Sequence, residues 1–188
     1  NLFANLVNNG TGCYCYFSSG KLYFTWDIAV GGVVTVAEYQ DFSAWYHFVI
    51  VLDSTQSTST DRVKIYVNGV QQTLTGSYPA LNADSEWMDG NPHFIARQTN
   101  NYHYGLEGYL ADIHFIDGQA LAATDFGEYD TNNVWQPKEF DGVYGPLVDQ
   151  SQTWSNFVSG TAYSGYPITN AFNGDLSNRS LESGSTGH

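Results

Sequence analysis

The run Arg62-Val63-Lys64-Ile65-Tyr66-Val67, followed at once by Asn68-Gly69 and then Val70-Gln71-Gln72-Thr73-Leu74, leaves this chain few ways to fold. Strict alternation sets Val63, Ile65 and Val67 on one side and Arg62, Lys64 and Tyr66 on the other. That period of two belongs to a half-buried antiparallel strand and not to a helix. Asn-Gly readily takes the positive φ that both residues of a tight hairpin turn require. A hairpin turning at Asn68-Gly69 is therefore expected.

Other segments read the same way. Trp45 to Leu52 is rich in aromatic and β-branched residues and predicts a strand. The polar stretch Ser54-Thr55-Gln56-Ser57-Thr58-Ser59-Thr60 predicts a loop joining it to the hairpin. Leu22 to Ile28 and Val33 to Tyr39 predict two more strands, separated by Gly31-Gly32. Phe94-Ile95-Ala96 and Tyr109 to Ile116 add two others, and only Ala120 to Phe126 reads as a short helical turn. The expected class is all-β: an antiparallel β-sandwich or a jelly roll. Near Gly145-Pro146 the text shifts to Ser, Thr, Asn and Gly with isolated aromatics. The expected organisation is a sandwich over residues 1–145, then a linker and a truncated second β-rich segment over 146–188. The ends read as those of a piece of a longer polypeptide.

Charge narrows the partners. Six Lys and Arg against 19 Asp and Glu give a formal charge of −13. Nucleic-acid backbones need clustered basic residues, and anionic lipid surfaces attract them too, so neither partner is expected. No apolar run approaches the roughly 20 residues of a membrane-spanning helix, and no membrane insertion is expected. Cys13 and Cys15, one residue apart, share a face of any extended strand. A disulfide across a single residue is strained, so they read as buried thiols.

Three ordered segments carry a resemblance. Trp45-Tyr46-His47-Phe48-Val49-Ile50-Val51, then Val63-Lys64-Ile65-Tyr66-Val67-Asn68-Gly69-Val70, then Gly108-Tyr109-Leu110-Ala111-Asp112-Ile113-His114-Phe115-Ile116-Asp117-Gly118-Gln119-Ala120-Leu121 resemble the laminin-G-like, concanavalin A-like jelly-roll family. Val134-Trp135-Gln136-Pro137-Lys138 with Tyr144-Gly145 resembles a subgroup found in structural proteins of bacteriophages, marine ones especially. The family's opening strand has no match before Cys13. The resemblance thus implies missing N-terminal strands, supplied by upstream sequence or another chain. Tyr166-Pro167-Ile168-Thr169-Asn170-Ala171-Phe172-Asn173-Gly174-Asp175 is similar to the start of a discoidin-like sandwich.

One sandwich hosts many functions, so the ligand has to be read from particular residues. Glycosidases of this jelly roll resemble one another in a Glu-x-Asp-x-x-Glu strand that brings two carboxylates to one face, and no such strand occurs. No nucleophile motif or phosphate-cradling loop occurs either. An enzyme is not expected. His47 and His114 fall at strand positions of the family and read as sheet histidines, and Trp45 and Trp135 read as packing. Asp84, Glu86 and Asp89, with Asn91, concentrate hard oxygen ligands in a short loop that suits Ca²⁺. Trp87 beside Asn91, and Asn101, Tyr102 and Tyr104 in a second loop, combine rings for stacking on sugar C–H faces with amides for hydroxyls. Loops on a rigid sandwich are where binding residues usually sit.

The reading that follows is a carbohydrate-binding and adhesion module of a phage tail fibre or other virion-surface protein. It would contact host-surface polysaccharide, with virion or extracellular location. Its neighbours would be other virion proteins or its own copies, a trimer being the default for a fibre. The alternatives are a purely structural assembly domain and, behind it, a glycan-cleaving enzyme.

Overall fold

A computed structural model describes residues 1–6, 12–27, 29–41, 43–88, 92–97 and 105–142. The chain divides into two units, Asn1–Gly145 and Pro146–His188, and the second lies outside the described residues. The first carries β1 (Phe3–Leu6), β2 (Gly12–Ser18), β3 (Lys21–Asp27), β4 (Gly31–Thr35), β5 (Phe48–Leu52), β6 (Val63–Val67), β7 (Val70–Gln71), β8 (Leu74–Gly76), β9 (His93–Ile95), β10 (Gly127–Tyr129) and β11 (Trp135–Pro137). Helical structure among the described residues is limited to 3₁₀ turns, at Ser59–Asp61, Glu86–Met88 and Ala123–Asp125. The last lies inside the stretch expected to form a helical turn.

A six-stranded sheet runs β8-β4-β3-β2-β1-β9, a three-stranded sheet β5-β6-β7, and β10-β11 form a small ribbon. Every pairing is antiparallel. The core lies where the two larger sheets face each other. Alternation in β3 buries Leu22, Phe24 and Trp26, and alternation in β6 buries Val63, Ile65 and Val67. The two sets join one hydrophobic cluster with Cys13, Cys15, Val33 and Trp87. This is the sandwich that the alternation predicts.

The hairpin forms as expected, with Asn68 at φ 48° and Gly69 at φ 78°. Asn68 also fixes where β5 begins. Its Oδ1 accepts the His47 backbone N–H at 2.8 Å, and its own N–H donates to the His47 carbonyl at 2.9 Å. The strand expected from Trp45 therefore starts at Phe48. Trp45 lies before the ladder closes and is 67% exposed, so it does not pack as expected.

Three further expectations are corrected. Gly31-Gly32 do not separate strands; both lie in β4, and a Cβ on Gly32 would meet the Phe24 carbonyl of β3 at 2.5 Å. Tyr109–Ile116 joins no ladder, because Asp112 at φ 50° interrupts its extended backbone. Phe3–Leu6, where no family strand was recognised, is β1, paired with β2 and β9. Its alternation is invisible because Ala4 and the polar Asn5 are both fully buried.

Cys13 donates to the Trp26 carbonyl at 2.7 Å, and burial pushes the Cys15 thiol up to about 12. Both are buried thiols in the core of β2, as the spacing predicts.

A second, smaller cluster covers the outer face of β5-β6. Val49, Ala123 and Phe126 form it, with Val51, Tyr66, Leu121, Trp135 and Phe140 packed around them. Residues 120–140 form a strap over this face, and Trp135 of β11 anchors it. Its ring lies so close to Gly69 and Gly127 that a Cβ at either would collide with it. Gly69→Ala forces a side chain into that ring and into left-handed φ, a combination that costs about 2–4 kcal/mol. The urea midpoint should drop accordingly, and an unchanged midpoint would contradict the close approach.

Candidate functional site

The loop singled out for sugar and calcium closes one end of the core. Trp87 is 6% exposed. Its ring stacks on Phe24 at 5.9 Å with a 3° interplanar angle, beside His93 and Phe115. Its Nε1–H donates to the Thr25 carbonyl at 3.1 Å. The Asn5 amide donates to the Glu86 carbonyl at 2.6 Å, and His93 Nε2–H donates to the Trp87 carbonyl at 2.6 Å. Trp87 is thus a core plug, and its covered ring has no open face for a sugar. This corrects the expectation that it forms a stacking platform.

Asp84 and Glu86 are close in sequence, but no group of three His, Cys, Asp or Glu among the described residues could hold a metal ion. Asp89, Asn91, Asn101, Tyr102 and Tyr104 lie outside the described residues.

A different concavity lies on the outer face of β5-β6. Register pairs Val49 with Tyr66 and Val51 with Lys64, so these four side chains share the face turned away from the main core. Next to them, Val51, Asp53, Gln56, Asp61, Lys64 and Tyr66 line a cleft of about 310 Å³, closed on its other side by Ala120–Ala122.

Arg62 pins the loop that brings Gln56 to this cleft. It was expected on the outward face with Lys64 and Tyr66, but it is buried. Its guanidinium donates to the carbonyls of Gln56 at 2.7 Å, Ser57 at 3.0 Å and Pro79 at 2.8 Å. The planar fork of donors satisfies two carbonyls of the polar loop and one of Pro79 beyond β8. Asp53 N–H donates to the Arg62 carbonyl at 2.8 Å, which ties the end of β5 to the start of β6.

Asp53 is held in place within the cleft. Thr55 donates to its Oδ1 from Oγ1 at 2.6 Å and from the backbone at 3.1 Å, and Gln56 donates to Oδ2 at 2.6 Å. These donors, the Thr55 hydroxyl first, hold its carboxyl below the usual range. Asp61 stands 3.9 Å from the Lys64 ammonium. Two carboxylates thus border the cleft, and Asp53, held ionised by its donors, can accept hydroxyl protons.

The sequence signal for this cleft was present but read as connection. Ser54–Thr60 looked like a solvated linker, and Ala120–Phe126 like a turn. Neither the burial of Arg62 nor the approach of Leu121 to Val51 and Tyr66 leaves a local pattern.

The strap beside the cleft depends on a neutral histidine. Trp135 Nε1–H donates to His47 Nδ1 at 2.8 Å, which requires a lone pair on that nitrogen. Burial, and then the neighbouring His114, hold the His47 pKa below its ordinary value, with Asp112 opposing. Because the folded pKa is depressed, the unfolded chain takes up a proton that the folded chain refuses. Stability should be complete above the ordinary histidine value of about 6.5 and fall as pH drops below it. Urea midpoints at pH 7.5 and 5.5 check this: the wild type should lose stability over that interval and His47→Gln should lose less. Equal slopes would contradict the role of His47. Asp53 and Asp41, both held low, titrate in a separate and more acidic window.

A family model described as the concanavalin A-like lectin/glucanases superfamily, of the laminin G type, matches residues 2–125. No curated protein and no solved structure matches the chain.

Proposed function

The chain belongs to the concanavalin A-like lectin/glucanase superfamily, and from that membership we propose that it is a non-catalytic carbohydrate-binding and adhesion module. The observation that carries the proposal is the cleft on β5-β6. It sets the apolar Val51 and Leu121 beside an oriented acceptor, Asp53, and the Asp61–Lys64 pair, a mixture common in small-ligand sites. In this proposal the module sits on a virion surface, such as a phage tail fibre, and contacts host-surface polysaccharide. The likeness of Val134–Lys138 and Tyr144-Gly145 to phage structural proteins supports that context. Ca²⁺ at Asp84, Glu86 and Asp89, and sugar contacts from Asn91, Asn101, Tyr102 and Tyr104, belong to the same proposal.

A second reading is a structural domain that assembles with its own copies, a trimer in the fibre setting. Tyr109, at 87% exposure, with the exposed Leu110, Ile113 and Phe115 in one segment, favours it. Apolar side chains gathered in one exposed segment often mark association surfaces.

Affinity electrophoresis in gels cast with soluble polysaccharides, with and without EDTA, separates these readings. The proposal expects retardation by at least one polysaccharide and no release of reducing ends. Weakened retardation in EDTA would support the calcium component. Unretarded migration in every gel would contradict the binding module and leave the assembly domain.

A further inference from the structure

We infer that the cleft between the outer face of β5-β6 and Ala120–Ala122 takes a neutral sugar unit through a vicinal diol and turns anionic glycans away. This rests on the carbohydrate-binding reading and specifies its ligand class and its site. Three features carry it.

The first is the donor and acceptor pair. Asp61 can only accept hydrogen bonds and the Lys64 ammonium can only donate them. At 3.9 Å they are too far apart to be locked in one short hydrogen bond, and both side chains are partly exposed. Each keeps capacity for a third group. A vicinal diol supplies what both lack: hydroxyl protons for Asp61 and hydroxyl lone pairs for Lys64. Hydrogen bonds with one ionised partner are the stronger kind.

The second is the surface under that pair. Val51, Leu121 and the ring of Tyr66 line the same cleft. Their side chains are held by the cluster of Val49, Ala123 and Phe126, so they do not have to be ordered on binding. Sugar C–H faces match such a floor. A volume of about 310 Å³ stands at the small end of ligand sites, suited to a short saccharide unit.

The third is charge. Asp53 and Asp61 face one ammonium, Lys64, so the cleft is net negative within a chain of formal charge −13. Asp53 cannot readily protonate to relieve this, because Thr55 and Gln56 hold it ionised. A uronate or sulfate group would meet repulsion from both carboxylates, and discrimination of this kind comes from the disfavoured partner.

The test uses the full chain, a neutral panel of dextran, mannan and galactomannan, and an anionic panel of alginate and sulfated galactan. Binding to at least one neutral member and to neither anionic one is expected. Asp61→Asn and Lys64→Met should each weaken the neutral interaction about tenfold or more, the size expected when a charged hydrogen-bond partner is removed. Thermal melting should show that both variants remain folded. Asp84→Asn, made in parallel, probes the rim loop. Neutral binding that survives Asp61→Asn and Lys64→Met but falls with Asp84→Asn would overturn the cleft while leaving the binding module standing. Binding to the anionic panel alone would overturn the ligand class. No binding to either panel would overturn both this inference and the reading it rests on.

Discussion

One strand, β6, serves both the main core and the outer cleft of the sandwich. In β6, successive side chains point to opposite faces, so whatever seals the core on one side fixes the surface on the other. Val63, Ile65 and Val67 pack into the main core with Leu22, Phe24 and Trp26. That burial determines that Lys64 and Tyr66 stand outward at the cleft. A slip of one residue in the pairing with β5 would exchange the two sets and put a lysine into the core. The Asn68-Gly69 turn, which bonds to His47 and bears the Trp135 ring, holds that register from one end. Arg62, bound to three carbonyls, holds it from the other.

Much of this was legible in the text. Strict alternation in β3 and β6, and the Asn-Gly turn, are local patterns, and local patterns survive folding. What stayed hidden was non-local. β1 is buried on both faces, including Asn5, so it has no polar-apolar rhythm. Gly31 and Gly32 read as a turn, yet serve as strand residues where backbones approach closely. Tyr109–Ile116 has a strand's composition, yet one left-handed residue, Asp112, interrupts it.

The candidate site shows the same division. Trp87 next to acidic residues invites a sugar-stacking interpretation, because composition cannot reveal which face of a ring is covered. Its Nε1–H, bonded to the β3 backbone, shows that its polar end is used inward. The cleft is assembled from the end of β5, a 3₁₀ turn, β6 and a strap more than fifty residues later in the chain. Only packing brings these together. Asp53 illustrates the point: in the text it is one of many acids, and in the fold it is an oriented acceptor with its ionised form stabilised.

In the proposed site, ligand meets protein on the outer face of β5-β6, beside the strap that Trp135 anchors. Backbone amide chemical-shift mapping, during titration of the full chain with short neutral oligosaccharides, tests this most directly. Perturbations concentrated at Asp53–Gln56, Asp61–Tyr66 and Leu121 are expected. Perturbations concentrated at Asp84–Trp87 and His93, with the β6 amides unmoved, would contradict it.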